Sequence, residues 1–418
     1  MQREEEEEEK PPISSRILED ATTKEDPNFD RKLDLVTAGA RSYVREHMLT
    51  KITPVNCQLI ISYILAMQTE SSTLSTAYRI TIVSKLVHLA EFHHPKGFRD
   101  MTRDDITLFL DRLRKSEAAD PLHKWKGSYN HDLTLLIRFF KWLYYPDKPA
   151  RQRIKKPDVI KNIAQQNRRE ITTYKPTDLW TEADDLLFCK YCPSKRDRAY
   201  HMVARDTAIR PGGLLNLKIK DIVWKNTDSY QVGEITTRDK TGVNTLPLIQ
   251  SVPWLKDWLA NGHPFPLVPD AIVFCGSGKK NTGRKLQKGT LNVIYNNYQK
   301  VIFPRLLQDP SVPPEDKARI EELIKTRKWT PYTRRHTAIT EKSQTLSTPM
   351  LHQYAGWTPG SKMSAKYIHY FGNEVSNKLL EAAGIKPESG SENNKKGILK
   401  PKVCDNCKTA KIGYISWL

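Results

Sequence analysis

Three times in the last third of the chain a hydroxyl residue stands directly before a proline: Thr330-Pro331, Thr348-Pro349 and Thr358-Pro359. Each pair reads as an N-cap followed by proline at the first helical position, where its missing N–H costs nothing. Gly356 and Gly372 stand where two of those helices should stop. The stretch from Thr330 to Gly372 is therefore expected to fold as three short helices joined by tight turns. Its polar residues are Arg334, Arg335 and His336 on the first helix, Trp357 at a turn, and Tyr367 with Lys366 and His369 on the last. Two guanidiniums and a tyrosine brought together in this way suit one ligand. Arg presents a planar fork of donors that matches a phosphate diester, and Tyr can attack it as a nucleophile.

The rest of the chain narrows the partner. Its 418 residues carry a net charge of +19 and are 38% hydrophobic. That length suits two or three domains, and the apolar content is enough for real cores. The basic excess predicts a polyanion, nucleic acid above all; the bland alternative is a basic, merely solvated surface. No run of 18 apolar residues is present, so no transmembrane helix is expected. The opening MQREEEEEEK is acidic and is not a signal peptide. Six cysteines do not make a disulfide scaffold. A cytoplasmic, nucleoid-associated protein is expected.

Residues 1–28 read as an acidic tail without fixed structure. Residues 29–146 show helical periodicity throughout. Leu33, Val36, Ala40, Tyr43 and Val44 share one face, and further helices are expected around 58–67, 73–92, from Thr102, and 129–144. Thr102 and Asp105 form a capping-box pattern. Residues 147–178, with KPARQRIKKP and QQNRRE, read as a basic linker. A second domain, 179–385, opens on a second capping-box pattern, Thr181 and Asp184. Arg210 falls where a helix ends. SYQVGEITTRDKTGVNTLPLI reads as two strands around a turn from which Lys240 projects. Residues 291–307 read as one helix. The tail 386–418 is polar and holds a lone Cys404-x-x-Cys407. The expected fold is mainly α with a small β-sheet.

The order of these residues now matters. TAIRPGGLLNLKIKDI, DKTGVNTLPL, Tyr332-Thr333-Arg334-Arg335-His336-Thr337, AGW with Trp357, and Tyr367-Ile368-His369 follow one another. In that order the chain resembles the tyrosine recombinases, the lambda-integrase family, over about Leu179 to Ala383. YTRRHTAIT and AGWTPGSKM give it the look of an archaeal-type integrase. The resemblance implies a helical, SAM-like core-binding domain followed by an α+β catalytic domain. It also implies double-stranded DNA as partner, with four protomers acting on two DNA sites.

Carried over residue by residue, the resemblance makes Tyr367 the nucleophile that forms a 3′-phosphotyrosyl link. Arg210 and Arg335 would hold the non-bridging oxygens, and Lys240 would be the general acid for the leaving 5′-oxygen. Tyr332 and Trp357 would donate hydrogen bonds to the phosphate. No metal and no cofactor is expected. The Arg-His-Thr pattern selects Arg335 over Arg334, which is left as a DNA-backbone or structural contact. Tyr370 competes with Tyr367, one helical turn away.

Two positions depart from the family pattern. Box II ordinarily begins with His, where this chain has Tyr332, so a strong general base is missing there. An acid ordinarily follows the box I Arg by three residues, where this chain has Gly213, so the brace must come from elsewhere. Three other readings remain: relaxation of DNA in the manner of a type IB topoisomerase, a binding-only descendant without covalent chemistry, and a basic RNA-binding helical protein. Cys189-x-x-Cys192 reads as packing, with a zinc site shared with Cys404 and Cys407 as the alternative. GSGKKNTGRK lacks P-loop spacing and reads as a solvated loop or a backbone contact.

Overall fold

The computed structural model describes residues 27–70, 74–167, 175–226, 231–239, 242–368, 402–403 and 410–411. The protein is mainly helical with a small antiparallel sheet, and it divides into two compact units, Met1–Ile171 and Thr172–Leu418.

The first unit is all helical: α1 Phe29–Thr37, α2 Ser42–Thr50, α3 Pro54–Glu70, α4 Thr76–Phe92, α5 Arg103–Asp111 and α6 Trp125–Tyr144. The continuous face read from Leu33 to Val44 is in fact two helices. The chain turns between them at Gly39, whose φ of 78° lies in the left-handed region that suits glycine. Arg79 of α4 then reaches back to the end of α1. Its guanidinium donates to Leu35 O (2.7 Å) and Ala38 O (2.6 Å), satisfying carbonyls at a helix end and placing a cation there. The Thr102–Asp105 capping box forms as expected. The apolar faces meet around Phe139, which packs edge-on against Tyr63 and Phe98.

The stretch expected to be a linker differs in its first half. Residues 150–152 and 158–160 form 3-10 turns, and Val159, Ile160 and Ile163 are buried in the helical core. Arg153 is only 7% exposed and pairs with Glu70. Apolar residues just after KPARQRIKKP, namely Val159, Ile160 and Ile163, anchor the segment, a signal that the preceding charge run concealed.

The second unit opens with α7 Glu182–Tyr191, held by the Thr181–Asp184 capping box, and α8 Lys195–Thr207. A short helix, α9 Pro211–Leu214, leads into strands β1 Ile222–Asn226, β2 Gln231–Asp239 and β3 Gly242–Leu248. The sheet order is β1-β2-β3, antiparallel throughout, and Asp239 lies opposite Gly242. Lys240 and Thr241 fall between those partners and lie outside the described residues. Next come α10 Val252–Asn261, α11 Lys288–Asn297, α12 Phe303–Leu306 and α13 Pro314–Thr326. The single helix read over 291–307 is broken by a π-helical segment, Tyr298–Ile302, just before Pro304, which has no N–H to give. Helix α13 is absent from the sequence reading. Its signals were Pro314 at the first turn, Glu315 and Asp316 beside it, and Ile320, Leu323 and Ile324 on one face.

The central stretch forms α14 Pro331–Lys342, α15 Thr348–Ala355 and α16 Ala365–Ile368. Pro331 sits at the first turn of α14, after Thr330. Gly356 ends α15 with a φ of 59°, and the Trp357 N–H donates to His352 O (2.9 Å), a Schellman closure. The third Thr-Pro pair starts no helix. Ser361 N–H donates to Thr358 O (3.1 Å), and Gly360 has φ of 76°. Pro at the second and Gly at the third turn position make this a type II turn, which competes with helix initiation and wins. Gly372, His369 and Tyr370 lie outside the described residues, as do Cys404 and Cys407 between the paired strands β4 Lys402–Val403 and β5 Ala410–Lys411.

Candidate active site

Helix α8 ends at Ala208, which takes the left-handed conformation (φ 51°). The chain therefore turns sharply, and Arg210 becomes the residue that precedes α9. An open cleft of about 400 Å³ lies here, and Arg210, Arg335, Trp357, Thr237 and Asn244 are among the residues that line it. They come from the α8–α9 turn, helix α14, the end of α15, and strands β2 and β3. Asn244 donates to Gln353 O (3.0 Å), tying the hairpin to α15. Tyr354 of α15 donates to Asp206 O (2.9 Å), tying α15 to the end of α8.

Arg335 is 6% exposed. Its Nη1 donates to Ala208 O and its Nη2 to Ala355 O (2.6 Å). Two main-chain carbonyls thus hold the guanidinium in one orientation. Gly213 leaves no room for the acid that stands there in the family pattern: a Cβ at that position would lie 2.8 Å from Ile209 Cγ2. The carbonyls of the α8 and α15 ends provide a brace that a side chain at 213 does not.

Arg334, adjacent in sequence, faces the opposite way. It is 1% exposed, ion-paired with the fully buried Asp185, bonded to Thr337 Oγ1 (3.1 Å), and stacked 4.7 Å over the Trp180 ring. Of the two roles left open for Arg334, the structure gives it the structural one. Asp185 also accepts from Arg205 and from His201 Nε2 (2.7 Å), while His201 Nδ1 accepts from the Tyr295 hydroxyl (3.1 Å). Burial raises the Asp185 carboxyl, but Arg334, Arg205 and His201 together outweigh burial and keep it well below the usual carboxylate range. This cluster clamps α7, α8 and α14 together and was not read from the sequence. Its one-dimensional signal was Asp185 beside the apolar run Leu186-Leu187-Phe188.

Burial, reinforced by Arg334, pulls the His201 imidazole down to about 4. The unfolded chain binds a proton near pH 6.5 and the folded chain does not until about pH 4. Stability is therefore full above pH 6.5 and falls as pH drops toward 4, by about 3 kcal/mol from this group. Urea unfolding at pH 7.5 and 4.5 should show that loss, and His201→Gln should shrink it. An equal loss in the variant would contradict the assignment.

Tyr367 is buried (5% exposed) and does not line the cleft, but its ring packs 5.5 Å from Trp357, which does. Its hydroxyl lies 2.8 Å from His336 Nδ1, and the two rings stack 5.7 Å apart. His352 Nε2 and Ser364 Oγ, 3.0 Å apart, link α15 to the segment that carries α16. Tyr332 is 46% exposed, one turn before His336 on α14 and 6.5 Å from its ring. Arg210, Arg335 and Trp357 are thus gathered in one cleft and Tyr367 packs against Trp357, whereas Tyr332 is half-exposed and is not among the residues that line the cleft. Lys240 lies outside the described residues. Cys189 and Cys192 are buried free thiols, with burial pushing Cys192 up to about 12. They pack in the core of this unit.

No protein-family model matches the sequence, and no curated protein matches it. Among solved structures the chain is similar to the XerH site-specific recombinase bound to palindromic difH substrate in a post-cleavage complex. That alignment has 16% identity and a TM-score of 0.48, covering 89% of this chain and 94% of that one. It is also similar to a lambda integrase dimer bound to a COC' core site (13% identity, TM-score 0.48, 82% and 85% covered). The Tn1549 transposon integrase in complex with transposon right end DNA is a further match (13% identity, TM-score 0.47, 79% and 99% covered). No helix among the described residues is long and apolar enough to cross a membrane.

Proposed function

We propose that this protein cuts and rejoins double-stranded DNA as a site-specific recombinase of the tyrosine type, through a 3′-phosphotyrosyl intermediate. The observation that carries the reading is the convergence of separated sequence boxes on one place. Arg210, Arg335 and Trp357 share a cleft, and Tyr367 packs against Trp357. In this reading Arg210 and Arg335 hold the non-bridging oxygens of the scissile phosphate and stabilise the charge that builds in the transition state. Lys240 protonates the leaving 5′-oxygen. Trp357 and Tyr332 donate hydrogen bonds to the phosphate. The phosphotyrosine conserves the energy of the broken bond, so rejoining calls for no external energy source. Four protomers act on two DNA sites. Exposed Lys and Arg of the helical unit supply backbone contacts. The finer likeness to archaeal integrases rests on YTRRHTAIT and AGWTPGSKM alone.

The test uses a nicked duplex oligonucleotide carrying the site that the protein selects from a random-sequence pool. The nick lets the short cleaved strand diffuse away and traps the covalent complex. A slow-migrating protein–DNA adduct on a denaturing gel is expected. Stable binding with no adduct would favour a binding-only protein, and relaxation of supercoiled plasmid without site preference would favour the topoisomerase reading.

Arg335→Lys should retain DNA binding and lose adduct formation by about 100- to 1,000-fold, the usual cost of a lost transition-state donor. Lys keeps the charge but cannot bond both Ala208 O and Ala355 O while facing a phosphate. A near-unchanged cleavage rate would remove Arg335 from the role.

A further inference from the structure

Box II of this chain lacks the histidine that would ordinarily offer a base, since Tyr332 stands there. We propose that His336, one helical turn further along α14, accepts the phenolic proton of Tyr367 during strand cleavage and returns it during rejoining. The inference deepens the recombinase reading and rests on it.

The geometry carries it. His336 Nδ1 lies 2.8 Å from the Tyr367 hydroxyl, within direct proton-transfer distance, and the two rings stack at 22°. A neutral imidazole protonated on Nε2 presents a lone pair at Nδ1, so the phenol donates and the ring accepts. The surroundings keep the ring in that neutral form. Burial pulls its basicity down to about 4, and Arg335 on the same helix and Lys328 just before it add to the effect. Among the described residues, Tyr332 one turn earlier, Tyr367 on α16 and these two cations are titratable groups that face or act on it. A phosphate diester entering beside Arg210 and Arg335 brings negative charge to the cleft. That charge offsets the two cations and raises the affinity of His336 for a proton as the reaction begins.

The proton balance closes. Tyr367 Oη bonds to phosphorus and the P–O5′ bond breaks. The phenolic proton passes to His336 Nδ1, and the departing O5′ takes a proton from Lys240. Rejoining runs the same transfers backwards: O5′ attacks phosphorus and gives its proton to Lys240, while the leaving phenolate recovers its proton from His336.

His336→Asn and His336→Ala test the idea on the full chain with the same nicked oligonucleotide. Asn keeps a hydrogen-bonding side chain of similar reach but no basic nitrogen, and Ala opens a space for added imidazole. Rates of adduct formation are compared per bound complex, so a poorly folded variant lowers the yield and leaves the rate interpretable. Both variants should lose about 100-fold or more, and imidazole should restore His336→Ala in proportion to its concentration. A His336→Asn rate within about tenfold of the unmutated protein would assign His336 to positioning and overturn the proposal. Failure of imidazole to raise the His336→Ala rate would overturn it as well. If the unmutated protein itself forms no adduct, it is the recombinase reading that falls.

Discussion

Tyr367→Phe is expected to abolish covalent attachment to DNA and leave DNA affinity unchanged. The substitution removes one oxygen. The ring continues to pack against Trp357 and His336, and the carbonyl brace that holds Arg335 is untouched. The phosphate clamp should therefore bind as before while nothing remains to attack phosphorus. The buried position of Tyr367 sharpens this expectation, because its hydroxyl has a defined partner in His336. Tyr370→Phe should leave attachment intact, since in the Tyr-x-His frame it falls outside the attacking position. Gel separation of adducts after incubation with nicked oligonucleotide reads both outcomes. An adduct in Tyr367→Phe, or its loss in Tyr370→Phe, would move the nucleophile three residues along the chain.

Asp185→Ala should destabilise the second unit by about 3–5 kcal/mol, the usual result of stripping the partner from a buried charge. Arg205 keeps carboxylates, Glu341 and Glu182. Arg334 does not, because Asp185 is the only carboxylate paired with it among the described residues. A guanidinium 1% exposed would then be left facing Thr337, His201 and the Trp180 ring. Natural domains hold only about 5–15 kcal/mol in total, so the loss is a large fraction of stability. Arg334 and Arg335 are neighbours on α14, so the change should also disturb the cleft. Urea titration followed by tryptophan fluorescence measures the shift. A midpoint unchanged from the unmutated protein would show that the cluster contributes little.

These effects mark what a linear reading reaches. Pro331 and Gly356 act through the chain's own backbone geometry, and the ends of α14 and α15 follow from them. The capping boxes at Thr102 and Thr181 are likewise local, and both form. Thr358-Pro359 misleads because Gly360 two residues after the threonine completes a turn that uses the same proline. Gly39 hides a break because apolar periodicity runs past it. The Asp185 cluster joins residues from three helices, and no spacing along the chain announces it. For the site, the order of the boxes singles out Arg210, Arg335, Trp357 and Tyr367, and three of these line one cleft with Tyr367 packed beside it. The pairing of His336 with Tyr367 depends on how α16 lies against α14, a tertiary fact with no counterpart in the sequence.

In the proposed recombinase reading, one tyrosine of this chain becomes covalently joined to DNA. The most direct measurement is to trap the adduct on the nicked oligonucleotide, digest both protein and DNA, and locate the nucleotide-bearing residue by fragment-ion mass spectrometry. A single modified peptide with the added phosphate on Tyr367 is expected. A phosphate on Tyr370 or Tyr332, or DNA bound tightly with no modified peptide, would contradict it.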